Sequence, residues 1–299
     1  MRPSALLLMF GMVRAKETRV SSQRTHYITT SDGAAIGGTV HGDGPPLVFL
    51  HGMLGDGDLD WTRLIRFLDD KFACHLPSQR GRGRSSDHPD LSYGRQVDDT
   101  LAYIDSIEER TGLVGWSGGA WPALDAAAQS DAVAAVAAVE PESIGLGDEQ
   151  EQAAFAAAVT RAGERATAGD LAGAIRPLAD FVFSQSEIAV LEDTGYLQEA
   201  ARYIPNLLSF LHQLLEYMAH GGVTGDNREV LGAVSVPVLV LRGSESKPLA
   251  TASGRHVADN VPNGRIAQIP GAGHSMPLTH PNALADSLTE FFAASLQPS

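Results

Sequence analysis

Short apolar runs alternate with longer segments of helical spacing along most of this chain. Helical spacing occurs in TRLIRFLDD, YGRQVDDTLAYIDSIEER and NALADSLTEFFAASL. The strand-like runs are RTHYITT, AAIGGTV, PLVFLH, KFACHLP, GLVGW, AVAAVAAVE, VPVLVLRG and GRIAQIPG. Alternation of this kind is typical of a mostly parallel sheet with helices on both faces, and continuous apolar runs suit strands that are covered on both sides. The pattern therefore predicts an α/β fold.

The strand pattern stops between Glu140 and Val236. Apolar residues in this stretch recur at helical spacing, in one stripe from Leu171 to Val182 and another from Leu207 to Met218. We therefore predict an all-helical insertion at residues 141–232. The core domain would comprise residues 23–140 and 233–299, behind a flexible N-terminal segment at residues 1–22.

Composition and charge exclude several classes of partner. The 299 residues include 22 basic and 36 acidic side chains, and the net charge of -14 opposes binding to nucleic acid or to anionic lipid surfaces. No apolar run reaches the roughly 20 residues that span a bilayer. The N-terminal ALLLMFGMV is followed by basic residues and lacks a small-x-small cleavage site. The single cysteine, Cys74, excludes an intrachain disulfide, so we predict a cytoplasmic protein with no membrane and no nucleic-acid partner.

A serine lies between two glycines at a predicted strand-to-helix turn. The strand-like GLV runs into Gly115-Trp116-Ser117-Gly118-Gly119, and the helix-like AWPALDAAA follows directly. In a G-x-S-x-G turn of this kind the serine hydroxyl stands above the sheet, and the tight bend leaves no room for side chains at the flanking glycines. The motif predicts that Ser117 is a nucleophile.

Three further stretches have the order and spacing of a known family when they are taken together with this elbow. His51-Gly52 follows the strand PLVFL, RGRGRSS follows the next strand, and PGAGHSMPLTHP places His274 after the last strand. With GWSGG, these motifs make the chain resemble the α/β-hydrolase family over nearly all of its length after the first two dozen residues. The resemblance implies an eight-stranded, mostly parallel sheet with helices on both faces and a helical cap formed by the insertion.

The resemblance also implies roles for individual residues. His274 would be the base that takes the proton of Ser117, since imidazole titrates near neutral pH. The backbone N–H groups of Met53 and Gly118 would form the oxyanion hole. His51 would organise the loop that carries Met53. The residues expected beside the substrate are Trp116, His51 and Gly52.

The carboxylate that should orient His274 has two candidates. Most members of the family place this acid three residues after the glycine that closes the penultimate strand, a position that Ser246 occupies here. Glu245 lies one residue earlier, and its longer side chain could compensate. The alternative is Glu140, at the end of the strand AVAAVAAVE, because some α/β hydrolases take their acid from that strand. The sequence favours Glu245 and leaves Glu140 open.

These residues predict a serine hydrolase that cleaves a small or medium hydrophobic carboxylic ester through an acyl-enzyme, with no metal and no organic cofactor. The partner would be a small-molecule ester. A carbon–carbon bond hydrolase, a lactonase or a thioesterase on the same fold is an alternative, since one fold hosts many reactions. A non-catalytic ligand-binding protein is a further alternative, because Glu245 lies one residue before the usual position of the acid.

Overall fold

Eight strands form one continuous sheet in the computed structural model, which describes residues 23–296. The predicted N-terminal segment 1–22 lies outside the described residues. The strands are β1 (Gln23–Thr29), β2 (Ala35–His41), β3 (Pro46–Leu50), β4 (Ala73–Pro77), β5 (Thr111–Trp116), β6 (Val133–Val139), β7 (Val238–Gly243) and β8 (Gly264–Ile269). Their order across the sheet is β1-β2-β4-β3-β5-β6-β7-β8. Strand β2 runs antiparallel to both neighbours and all other pairs are parallel, which confirms the predicted mostly parallel sheet.

Twelve helices accompany the strands in the part of the chain that the structure describes. They are α1 (Gly57–Ile65), α2 (Tyr93–Asp105), α3 (Ala120–Gln129), α4 (Glu149–Thr167), α5 (Leu171–Val182), α6 (Gln185–Asp193), α7 (Tyr196–Ala200), α8 (Ile204–Ala219), α9 (Arg228–Ala233), α10 (Pro248–Asn260), α11 (Met276–Thr279) and α12 (Pro281–Ser295). None of the helices within residues 23–296 is both long enough and apolar enough to cross a bilayer.

The sheet is buried on both faces between β2 and β7, whereas its edge strands β1 and β8 are largely exposed. Along β3, Leu47 and Phe49 belong to one hydrophobic cluster, whereas Val48 packs into the cluster on the opposite face, as the two-residue period of a strand requires. Every residue of β3 and β6 is buried. This two-sided burial explains why these strands read as continuous apolar runs with no polar alternation.

Helices and turns alone connect β6 to β7. Helix α4 packs mainly against α5, and α8 lies across both α4 and α2. Helices α4 and α6 each begin with a capping box, in which Asp148 pairs with Glu151 and Ser184 pairs with Glu187. The region between β6 and β7, which has no strand pattern in its sequence, is therefore helical, as its apolar stripes indicate. That residues 141–232 form a separate unit stays a prediction.

Candidate active site

Ser117 occupies the sharp turn that joins β5 to α3. Its backbone has φ 53°, a left-handed conformation that non-glycine residues adopt rarely and at a cost. A Cβ atom on Gly115 would lie 2.4 Å from the carbonyl oxygen of Gly119, and one on Gly119 would lie 2.4 Å from the carbonyl oxygen of Leu50. The two glycines are therefore required by close backbone approach, and the strained turn at Ser117 is held by its surroundings.

His274 reaches this serine from the loop that follows β8. Its Nε2 lies 2.9 Å from Ser117 Oγ, within hydrogen-bonding distance, although 157 residues separate the two. The imidazole is buried, and the indole Nε1 of Trp116 donates to the backbone carbonyl of His274 at 2.9 Å. The predicted nucleophile and the predicted base therefore meet, and the strand that carries Ser117 also anchors the backbone of the base.

The carboxylate beside His274 belongs to Glu140. Its Oε2 lies 3.4 Å from His274 Nδ1, and both atoms are buried without another hydrogen-bond partner among residues 23–296. The distance is slightly long for a hydrogen bond, as catalytic contacts often are before substrate binds. The other oxygen of Glu140 accepts hydrogen bonds from the Gly243 N–H at 2.7 Å and from Ser246 Oγ at 2.6 Å, so the side chain is fixed.

Glu245 lies elsewhere, which corrects the preference drawn from the sequence. It occupies an exposed position in the turn after β7, and its backbone N–H donates to the carbonyl of Ala272. Ser246, the position where most family members carry the acid, donates its hydroxyl to Glu140. The place next to the imidazole is filled from β6, where Glu140 has φ 47° and its side chain is fully buried.

A second carboxylate, Glu142, lies 3.8 Å from His274 Nδ1. Burial lowers the pKa of His274, but the negative charges of Glu142, Glu140 and Glu187 outweigh it and raise the pKa above its usual value. Burial in turn raises the pKa of Glu142. The base therefore sits in a strongly negative environment that favours the imidazolium ion.

The loop after β3, residues 51–55, is held by hydrogen bonds around His51. The His51 Nδ1 donates to the Gly52 carbonyl at 2.7 Å, and its Nε2 accepts from the Gln79 N–H at 3.0 Å. Burial, together with the charge of Arg82, lowers the pKa of His51 to about 4, so the ring is neutral at neutral pH. Because C=O and N–H point in opposite directions across a trans peptide, fixing the Gly52 carbonyl also fixes the direction of the Met53 N–H.

Two buried ionisable groups complete the support of this loop. Asp60 Oδ2 accepts from the Gly52 N–H at 2.8 Å, and Tyr196 of the helical insertion donates its hydroxyl to Asp60 Oδ1 at 2.9 Å. The Arg82 guanidinium donates to the carbonyls of Met53 and Gly55. Burial raises the pKa of Asp60 to about 8, although the bonds from Tyr196 and Gly52 oppose the shift.

A cavity of about 460 Å³, counted with its open mouth, lies over Ser117 and His274. The loop after β3 contributes one wall, and the elbow contributes another through Trp116. The remaining lining comes from the helical insertion, namely Phe155, Leu178, Val182, Phe183, Tyr196, Leu207 and Leu211. Apart from His274 and Tyr196, no titratable side chain of residues 23–296 lines it, so the cavity is apolar apart from the Ser117 and His274 groups.

Of the three residues predicted to contact substrate, two line this cavity. Gly52 and Trp116 line it, as does Met53, whose Cγ would lie 2.7 Å from a Cβ placed on Gly118. His51 does not line it: its ring is behind the loop and against a different cavity, where both ring nitrogens are engaged by backbone groups. These bonds make His51 a support for the loop, and its predicted contact with substrate stays a prediction.

Three residues that surround the site were not identified from the sequence, namely Glu142, Glu187 and Asp60. Glu142 follows Glu140 by two residues, and that adjacency was a usable signal. Glu187 belongs to an S-x-x-E pattern that predicts the start of a helix. That pattern does not predict a contact with the loop that carries His274. Within residues 23–296, no cluster of three or more histidine, cysteine or acidic side chains could hold a metal ion.

Comparison with known proteins places this arrangement in a family. A sequence model described as "Alpha/beta hydrolase family" matches residues 47–287. Pimeloyl-[acyl-carrier protein] methyl ester esterase of Xanthomonas campestris pv. campestris is 28% identical over 269 residues, which cover 85% of this chain and 98% of that protein. A Mycobacterium tuberculosis protein named as a non-heme bromoperoxidase is 39% identical over 61 residues, which span 20% of this chain and only 23% of that protein.

The solved structures agree on the architecture. An esterase from Rhodococcus sp. ECU1013 superposes with a TM-score of 0.74 at 22% identity, covering 91% of this chain and 99% of the other. At that identity the likeness establishes the fold alone, an eight-stranded sheet with flanking helices as the motifs predict. The chain therefore belongs to the alpha/beta hydrolase family.

Proposed function

We propose that this protein is a serine hydrolase that cleaves small or medium hydrophobic carboxylic esters through an acyl-enzyme intermediate. The observation that carries the proposal is the 2.9 Å approach of His274 Nε2 to Ser117 Oγ, with the Glu140 carboxylate on the far side of the imidazole. A nucleophile, a base and an acid in this arrangement, in the chain order serine, acid, histidine, match the triad logic of the fold.

In the first half of the reaction, Ser117 Oγ attacks the ester carbonyl while His274 takes its proton. The backbone N–H groups of Met53 and Gly118 stabilise the oxyanion, and His274 then protonates the departing alcohol. In the second half, His274 takes a proton from the water that attacks the acyl-enzyme; the bond between the acyl group and Ser117 Oγ then breaks, His274 returns the proton to Ser117 Oγ, and the acid leaves. Glu140 keeps the Nδ1 proton in place and stabilises the imidazolium that forms in both halves.

The lining of the cavity supports a neutral, hydrophobic substrate. Tyr196, its one phenol, already donates to Asp60, so the insertion presents apolar side chains to the ester. Charged substrate groups would lose their hydration there without gaining a partner. The helical insertion thereby acts as the cap of the site, and the ester-cleaving activity in the name of the Xanthomonas campestris relative agrees with this class of reaction.

A panel of p-nitrophenyl esters with acyl chains from acetate to palmitate tests the proposal. We expect turnover of the short and medium esters and a decrease of kcat on the order of 10^4- to 10^6-fold in Ser117→Ala, since the nucleophile is lost. A fluorophosphonate probe should label the wild-type protein at Ser117.

Each alternative reaction gives a different result in this experiment. Strong labelling without turnover of any ester would instead favour a carbon–carbon bond hydrolase. Lactones and thioesters are assayed beside the panel, and their turnover in preference to the p-nitrophenyl esters would reassign the substrate. Absence of both labelling and turnover would leave a ligand-binding protein and end the hydrolase proposal.

A further inference from the structure

The side chain of Glu187 joins the helical insertion to the loop that carries His274. Its Oε2 accepts hydrogen bonds from the N–H of Ser184 at 2.8 Å and from the Ser184 hydroxyl at 2.9 Å, at the start of α6. Its Oε1 accepts from the N–H of Ser275 at 2.7 Å and from the Ser275 hydroxyl at 2.8 Å. One carboxylate therefore satisfies four donors, two in the insertion and two in the residue directly after His274.

The approach of Glu187 depends on the local shape of the histidine loop. A Cβ atom on Gly273 would lie 2.6 Å from Glu187 Oε1, so the residue before His274 must be a glycine for the carboxylate to approach. Ser275 is fully buried. Although burial raises the pKa of Glu187, the bonds from Ser184 and Ser275 more than offset it, so the side chain is ionised at neutral pH.

The same part of the insertion touches the imidazole itself. The ring of Phe183, the residue that precedes Ser184, lies 5.7 Å from the His274 ring, measured between centroids. His274 is thus held by Trp116 at its carbonyl, by Glu187 through the next residue, and by Phe183 against its ring. Of these three contacts, two come from the insertion and would be lost together if the insertion moved away from the sheet.

We propose that Glu187 is a positioning residue for the base, and that its double attachment makes the correct placement of His274 depend on docking of the helical insertion. The inference rests on the proposed function, in which His274 is the base. Its chemical consequence is that a cap displaced from the core leaves Ser117 without a well-placed proton acceptor. Turnover is then limited to molecules whose insertion is docked.

Helix capping alone is the competing explanation, and the chain contains a matched control for it. Glu151 occupies the same capping-box position in α4, where its Oε2 accepts from the Asp148 N–H at 3.1 Å, and it is partly exposed. Glu151→Ala therefore removes an equivalent cap from a helix of the insertion without touching the histidine loop. A capping role predicts similar activity for Glu187→Ala and Glu151→Ala, whereas a positioning role predicts that they differ.

The experiment compares wild type, Glu187→Ala, Glu151→Ala and Glu187→Gln in p-nitrophenyl butyrate hydrolysis and in the rate of fluorophosphonate labelling. In Glu187→Ala we expect kcat to fall about 10- to 100-fold, with KM within about threefold and labelling slowed to a similar extent, because small displacements of reacting groups cost rates of this size. Glu151→Ala should remain within about twofold of wild type. Glu187→Gln, which keeps one acceptor oxygen, should be intermediate.

The inference is overturned if Glu187→Ala behaves as Glu151→Ala does, or if KM rises while kcat and the labelling rate are unchanged. Should Glu187→Ala fail to fold, Glu187→Gln decides in its place, and a wild-type kcat in that variant overturns the inference. Ser117→Ala assayed in parallel separates the two proposals. If wild type shows no Ser117-dependent turnover or labelling, the proposed function has failed; if it does and the Glu187 variants match the control, only this inference has failed.

Discussion

Three carboxylates surround His274. Glu140 and Glu142, which follow β6, lie near the imidazole, and Glu187 of the insertion binds the next residue, Ser275. Only Glu140 combines complete burial, an oxygen without another partner and the shorter distance to Nδ1. Glu142 contributes charge, and Glu187 is fully engaged by two serines. The three residues therefore differ in what they can do for the base, despite their common chemistry.

Substitution of Glu140 distinguishes the two acids that the sequence left open. We expect Glu140→Gln to lower kcat for p-nitrophenyl butyrate by about 100- to 10,000-fold, because the imidazole loses the acceptor that fixes its tautomer. Glu245→Gln, which removes the same charge from an exposed turn, should retain activity within about twofold. A large loss in Glu245→Gln beside a nearly unaffected Glu140→Gln would contradict the assignment of the acid.

The charge of Glu142 should set the acid limb of the pH–rate profile. His274 must be neutral to accept a proton, so kcat/KM falls as pH decreases through its raised pKa. Glu142→Gln removes the largest of the charges that raise this pKa, and the acid limb should therefore move to lower pH. The profile of Glu245→Gln serves as the control for net charge. An acid limb that is unmoved in Glu142→Gln, or displaced upward, would contradict this electrostatic explanation.

At the scale of secondary-structure elements, the insertion is joined to the core at several separate points. Tyr196 donates to Asp60, which supports the loop after β3, and Glu187 binds the loop after β8. Lys247, in the turn before α10, donates to the carbonyls of Phe181 and Asp180 at 2.5 and 3.0 Å. Two of these contacts act on loops that carry predicted catalytic groups, so the position of the insertion is connected to both sides of Ser117.

Lys247 should stabilise the last turn of α5, because its ammonium group satisfies carbonyls that have no partner within the helix. We expect Lys247→Met to increase hydrogen exchange at amides 179–183 about tenfold, which corresponds to roughly 1.4 kcal/mol of local opening free energy. Lys71→Met is the matched control, since Lys71 is exposed, lies in the turn between α1 and β4, and also donates to a backbone carbonyl, that of Phe67. Equal exchange in the two variants would show that Lys247 contributes nothing to the docking of α5.

For the molecule as a whole, the parts that the sequence predicted are those that depend on local patterns. Each strand-like run became a strand. Strands β2 to β7 are mostly buried, which demands a continuous apolar segment, whereas the edge strands β1 and β8 are largely exposed. The elbow at Ser117 was visible because backbone crowding requires glycine on both sides. The meeting of Ser117 with His274 followed from the resemblance, since the carboxyl ends of parallel strands lie at one edge of the sheet.

The parts that were not predicted depend on the direction in which a side chain leaves the backbone and on packing between residues distant in sequence. Glu140 and Glu245 both follow strands that end at the same edge of the sheet. Glu140 is buried and has a positive φ, and the residues next to it in sequence do not predict that conformation. Glu187 reaches Ser275 only because the insertion folds back over the sheet, 88 residues away in sequence. Supporting residues of this kind are found from coordinates, since no spacing rule relates them to the motifs.

The pH dependence of global stability should carry a contribution from Asp60. Its folded-state pKa is raised from 3.8 to about 8, so the folded protein keeps a proton that the unfolded chain releases above about pH 4. A raised pKa of this kind stabilises the fold at low pH, and that stability is lost as pH increases toward 8. In Asp60→Asn the side chain at this position cannot titrate, so the variant does not lose stability in this way as pH increases. The unfolding free energy of wild type minus that of Asp60→Asn should therefore decrease between pH 4 and 8, by at most about 1.4 kcal/mol per pH unit, and level off above pH 8.

Urea denaturation of both proteins at pH values from 5 to 9 measures this difference. Other groups titrate in the same range: burial lowers the pKa of His51 and His75 to about 4, and nearby carboxylates raise that of His274. Their contributions are common to both proteins and cancel in the subtraction, which isolates Asp60. A difference that stays constant over this range would mean that Asp60 is ionised in the folded protein. Tyr196 and Gly52 would then donate to a carboxylate anion, and the buried charge of Arg82 nearby would be its compensation.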